Sequence, residues 1–142
     1  MRGFTMLEML LSVAIIALIA AIGAPVYLNF QTRNDLDIAA QTFTQGARRA
    51  QALSRAMEGD SSWGTHLASG SVTVFKGASY AARDAAVDET YDIASSITFS
   101  GTTDYVFAKL TGLPAATGST TLTSVNNETR TIALNAKGTV TY

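Results

Sequence analysis

From Phe4 to Ala24 the chain runs through twenty-one residues that are apolar or small, interrupted only by Thr5, Glu8 and Ser12. As an α-helix that run is about 31 Å long, the thickness of a bilayer's hydrocarbon core. A stretch apolar on every face suits a membrane better than the surface of a small domain. Glu8 sits only five residues into the run. An ionised carboxylate there costs on the order of 2.5 kcal/mol, so it calls for a partner. Arg2 precedes the run and the next cation is Arg33, which favours a cytoplasmic start with the remainder outside.

Three readings fit a basic start followed by an apolar helix. A secretory signal peptide would offer Ala21-Ile22-Gly23 as its small-x-small cleavage site, but the apolar run is long for one and holds Glu8. A plain anchor explains the length and leaves Glu8 without a purpose. The third reading starts from Gly3-Phe4-Thr5-Met6-Leu7-Glu8 and the helix after it, which resemble the processing and methylation motif of type IV pilins and type II secretion pseudopilins. The resemblance implies cleavage by a prepilin peptidase between Gly3 and Phe4, N-methylation of Phe4, and Glu8 as the fifth mature residue. It also implies that Glu8 pairs with the new α-amine of its own or a neighbouring chain. Such pairing lowers the cost of both charges and penalises a mis-registered neighbour. Pro25 falls where many pilins carry a proline, and with Gly23 it predicts a kink or local loosening over residues 21–25.

Beyond Pro25, Leu36, Ala39, Ala40, Phe43, Ala47, Ala50, Leu53, Ser54 and Met57 recur at spacings of three and four, with charged and amide residues between them. That pattern predicts an amphipathic continuation of the same helix, ending near Met57 before the breaker cluster Glu58–Ser62. The whole helix would hold about 54 residues and span roughly 80 Å. Strand material follows. Trp63–Ala68 and Ser71–Lys76 flank Ser69-Gly70 and read as a hairpin; Thr90–Ile93, Ile97–Phe99 and Tyr105–Leu110 are short β-rich runs. Thr120–Val125 and Glu128–Leu134 form a second hairpin around Asn126-Asn127, and Thr139–Tyr142 is a last strand. The expected fold class is α+β: a long N-terminal helix packed on an antiparallel β domain, with Trp63, Phe75, Tyr91, Phe99 and Phe107 in the core. The expected segments are a leader at 1–3, a membrane or filament-core helix at 4–28, an amphipathic helix at 29–58 and a β-rich domain at 59–142.

The Trp-Gly hairpin with Val-Thr-Val-Phe, together with the terminal Arg-Thr-Ile-Ala-Leu-Asn and Gly-Thr-Val-Thr, resembles the minor pseudopilin branch called GspH/FimT. The chain has no cysteine, which excludes disulfides, thiolate metal sites and thiol chemistry. Net charge is −1 and no Lys/Arg run exceeds Arg48-Arg49, so a long nucleic-acid footprint is absent. Some FimT-like relatives take up DNA through C-terminal arginines; here that region has only Arg130 and Lys137, and a membrane-anchored filament-tip module that binds DNA or another extracellular ligand stands as the alternative. Asp84, Asp88, Glu89 and Asp92 could ligate a hard cation, but their spacing is not that of an EF-hand, and a solvated loop is the simpler account. His66 is the single histidine, without a sequence neighbour that makes a triad or zinc site. Arg48, Arg49 and Arg55 read as a solvated or interchain face of the helix.

No constellation supports catalysis, and neither a cofactor nor a metal is expected. The expected role is a structural subunit of a type IV pilus-like filament or type II secretion pseudopilus. Its expected partners are other pilin or pseudopilin subunits, a prepilin peptidase, an inner-membrane assembly platform and lipid. The expected place is the bacterial inner membrane, single-pass with the C-terminal domain outside, and then a filament in the periplasm or on the cell surface.

Overall fold

The computed structural model describes residues 3–142, leaving aside the side chains of Ala24 and Pro25. One helix, α1 (Met6–Arg55), is followed by eight strands: β1 (Trp63–Ala68), β2 (Ser71–Lys76), β3 (Glu89–Asp92), β4 (Thr98–Gly101), β5 (Asp104–Phe107), β6 (Gly118–Thr123), β7 (Thr129–Leu134) and β8 (Val140–Thr141). Every pairing is antiparallel. The strands make two four-stranded sheets, ordered β3-β2-β1-β5 and β4-β6-β7-β8. This is the expected α+β arrangement, with the sheets covering only the second half of the helix.

Both expected hairpins form, and their turns obey backbone sterics. Asn127 takes the left-handed conformation, φ 60°, which asparagine tolerates better than most side chains. The short runs at Ile97 and Tyr105 do not pair with each other; β4 lies in the second sheet and β5 in the first. The chain changes sheets at Thr102-Thr103. There Thr102 N–H donates to Ser119 O at 2.9 Å, and Thr103 O accepts from Leu67 N–H at 2.9 Å. Gly101 makes the step with φ 94°, where a Cβ would lie 2.3 Å from Ser119 O.

The core is the helix stripe closed by both sheets. Leu36, Ala39, Ala40, Phe43, Ala47 and Ala50 are fully buried against Leu67, Val72, Val74, Phe107, Leu122 and Ile132. Small alanines on the stripe let the helix approach the strands closely, while Phe43 fills the space between the sheets against Tyr105, ring centroids 5.1 Å apart. The Tyr105 hydroxyl donates to Ile132 O at 3.1 Å and meets Thr120 Oγ1 at 2.9 Å, so one buried side chain of the first sheet is tied to two strands of the second. Burial pushes the Tyr105 phenol up from its ordinary value.

Two core expectations are corrected. Met57 does not join the stripe: the helix ends at Arg55, Met57 turns left-handed at φ 56°, and its side chain is exposed. Tyr91 is exposed on the edge strand β3. Ser54 closes the stripe in place of Met57. Its buried Oγ donates to Phe107 O at 3.1 Å and accepts from Trp63 N–H at 3.0 Å, fastening the helix end to β1 and β5.

Candidate functional site

From Met6 to Ile22 the described large apolar side chains of α1 all lie exposed, clear of the sheets. Phe4, Met6, Leu7, Leu10, Leu11, Ile16, Leu18 and Ile19 are each more than half exposed, and their apolar segment is long enough to cross a membrane. Soluble monomers rarely expose so long a contiguous apolar surface. The covering surface must come from outside the chain.

At the start of this half, Thr5 and Glu8 form a reciprocal capping box. Glu8 N–H donates to Thr5 Oγ1 at 3.3 Å, and the Glu8 carboxylate accepts from Thr5 N–H at 3.3 Å and from Thr5 Oγ1 at 3.2 Å. The sequence signal for it, Thr-x-x-Glu ahead of an apolar run, was present and missed. It gives Glu8 a first role in helix initiation. The same geometry turns the carboxylate back toward the chain start, one residue from the Phe4 nitrogen.

Gly3 lies outside the helix, and a Cβ built there would meet nothing within 4 Å. Gly23, inside the helix, is equally free. Among the described residues, packing requires a glycine at neither position. The expected kink at Gly23 and Pro25 falls on a segment assigned as helix without interruption, and the Pro25 side chain lies outside the described residues, as does Arg2.

Where the apolar half departs from the sheets, the β6–β7 turn clamps it. Arg33 Nε donates to Glu128 Oε1 at 2.7 Å, and Asn126 Nδ2 donates to Asn29 Oδ1 at 3.0 Å. These residues, with Val26 and Phe30, line an open cavity of about 390 Å³.

The acidic stretch is largely engaged elsewhere. Asp88 accepts from Arg83 Nε at 2.7 Å, and both oxygens of Glu89 accept from Arg49 at 2.7 Å. That fork holds the Glu89 carboxyl below its ordinary value, the hydrogen bonds from Arg49 being the largest cause. Asp84 caps a short turn by accepting from Ala86 N–H. Among the described residues no cluster of metal-ligating side chains forms. His66 does find a partner, Asp104 across the β1–β5 ladder, at 2.8 Å from Nδ1, and its ring stacks on Tyr80 at 3.7 Å. Thirty-eight residues separate the pair, so only strand register could reveal it. Arg130 is paired with Asp37 at 2.9 Å, leaving Lys137 as the one unpaired cation of the two C-terminal candidates.

Residues 1–24 match the family described as the prokaryotic N-terminal methylation motif. Among curated proteins none is a significant match to the chain. In structure, the chain is similar to the minor pseudopilin EpsH from the type 2 secretion system of Vibrio cholerae, with a TM-score of 0.55 at 9% identity. That likeness covers 75% of this chain and 94% of the other. The chain thus joins the N-terminal methylation motif of prokaryotic pilins to the fold of a pseudopilin.

Proposed function

We propose that the chain is a structural subunit of a type IV pilus-like filament or type II secretion pseudopilus. The observation that carries this reading is the division of one helix: a half exposed on every face, bearing the methylation motif, continues without interruption into a half buried under two sheets. A prepilin peptidase cuts between Gly3 and Phe4, and the amine of Phe4 is then methylated. Open space around Gly3 supports this, because the demand for glycine then comes from the enzyme that reads it. Residues 3–5 lie outside the helix, with Thr5 extended, which suits entry into a peptidase site without unwinding the helix.

After cleavage the Glu8 carboxylate lies one turn from a new cation. The capping box already holds it near that position, so pairing within the chain needs little movement. Pairing with a neighbour then costs the box, which sets a threshold for correct register. The apolar half keeps the subunit in the inner membrane with the β domain outside, and later exchanges lipid for other helices. Gly23 permits close helix approach there. The work of extraction falls to an assembly platform. DNA uptake gains no support from the C-terminal cations, since Arg130 is neutralised by Asp37.

Intact mass and N-terminal sequencing of the protein from its native membrane test the reading. The expected result is a mature chain beginning at methylated Phe4; an intact Met1 or a start at Ala24 overturns it. A Glu8→Ala variant should be processed yet enter filaments at least about tenfold less well, the cost of one unmatched charge.

A further inference from the structure

Among the described lysines and arginines, Arg33, Arg49, Arg83, Lys109 and Arg130 sit in ion pairs. Four do not: Arg48, Arg55, Lys76 and Lys137. Three of those four, Arg48, Arg55 and Lys137, line one cavity of about 330 Å³, and no acidic side chain lines it with them. The groove is built into the fold. Gln51 Nε2 donates to Gly112 O at 2.9 Å across its floor. Gly138 stands in the left-handed region at φ 79°, where a Cβ would come 2.2 Å from Gln51 Nε2. A side chain at Gly138 would close what the glycine leaves open.

Helix periodicity locates this groove relative to the acids. At about 100° per residue, Arg48, Gln51 and Arg55 run along one side of the buried stripe; Thr42, Gln45 and Arg49 run along the other. The first side meets the turn into β8, the edge of the second sheet. The second side meets Thr90, Tyr91 and Asp92 of β3, the edge of the first sheet. Asp92 is exposed and takes part in no ion pair among the described residues. The molecule therefore carries an unmatched cationic groove on one flank and an unmatched carboxylate on the opposite flank.

We propose that the Arg48–Arg55–Lys137 groove receives the β3 edge of a second copy of this chain, with Asp92 of that copy as its anion. The two surfaces differ, so the contact is head-to-tail and leaves a free groove and a free edge at the two ends of any stack. The proposal rests on the filament-subunit reading, which sets the helices parallel. The two helix segments are centred six residues apart, so each copy stands about 9 Å further along the helix axis than its neighbour. Several pairs across such a contact would fix direction and register more than they add affinity.

The chain has no cysteine, so engineered ones report without background. The full-length protein is oxidised in its native membrane as Lys137→Cys, as Asp92→Cys, and as the double variant. Ile16→Cys, on the apolar half of the helix, serves as the reference for any helix-to-helix association. The proposal expects a ladder of multimers from the double variant, dimers when the two single variants are co-expressed, and monomers from either alone. Lys137→Glu added to Arg48→Glu should reduce a Gln51→Cys to Thr90→Cys cross-link about fivefold, and Asp92→Lys on the Thr90→Cys copy should lower it alone and restore it in combination. Dimers from a single variant, or no ladder while Ile16→Cys cross-links, overturn the contact and leave the filament reading standing. No cross-link at either place overturns both. Capture of duplex DNA by the full chain in detergent, lost in the Arg48→Glu and Lys137→Glu variant together with an absent ladder, assigns the groove to nucleic acid and overturns the proposal.

Discussion

The two halves of α1 have similar lengths and opposite grammars. Between Met6 and Leu28 large aliphatic side chains point in every direction and none is covered. Between Leu36 and Ser54 the buried positions are mostly small, namely Ala39, Ala40, Thr44, Gly46, Ala47, Ala50 and Ser54, with Leu36 and Phe43 as the large members, and polar or charged residues fill most of the rest. The first half places its hydrophobic surface where only an external partner can remove it from water or lipid. The second half spends a smaller apolar surface on a fit so close that methyl groups suffice. Helix length is thus no guide to what a helix packs on; side-chain size at its contact positions is.

The sharpest way to break this comparison is to alter residues that are free in the chain. Gly3→Val should abolish N-terminal processing almost completely, read by intact mass, while leaving the urea midpoint of the β domain unchanged. A shifted midpoint would mean that Gly3 has a packing role after all. Next comes the buried half: Phe43→Ala should cost about 3–5 kcal/mol in denaturant unfolding of the full chain in detergent. Ile16→Ala, in the exposed half, should cost close to nothing in the same experiment. Tyr105→Phe removes the hydroxyl that joins the sheets and should cost about 1–2 kcal/mol, because Ile132 O and Thr120 Oγ1 lose a buried partner.

The smallest effect is electrostatic. Arg49 holds the Glu89 pKa below its unfolded value, so this pair contributes stability in full above the unfolded carboxylate range, near pH 4. That contribution disappears as pH falls through the folded value. Arg49→Met should therefore lower stability slightly at pH 7, leave it unchanged below the folded value and so flatten the acid limb of a stability–pH curve, the small size being that expected for a pair of partly exposed side chains.

Much of this molecule was legible in its sequence, for reasons that differ from element to element. The helix stripe and both hairpins follow from local periodicity and turn chemistry, which act over a few residues. The methylation motif over residues 1–24 is legible because it is short and local, and the roles proposed for Gly3, Phe4 and Glu8 rest on it. The exposure of Tyr91 and the His66–Asp104 pair were not legible, since each depends on which strand becomes a sheet edge or on cross-strand register. Nor was the groove: Arg48, Arg55 and Lys137 are brought together only by the closing of β8 against the helix. The switch of sheets at Thr102-Thr103 escaped for the same reason, as two short runs separated by a glycine turn look like a hairpin until their partners are known.

Ser54 has one more consequence, and it is mechanical. Its hydroxyl fastens the far end of the helix to two strands, and the stripe from Leu36 onward lies along the sheets instead of meeting them at a point. A pull along the helix axis therefore loads the interface in shear, where all buried contacts resist together. A sideways pull on the strands would peel them one at a time and meet far less resistance. The molecule is built like a lap joint, strongest along the axis of its helix.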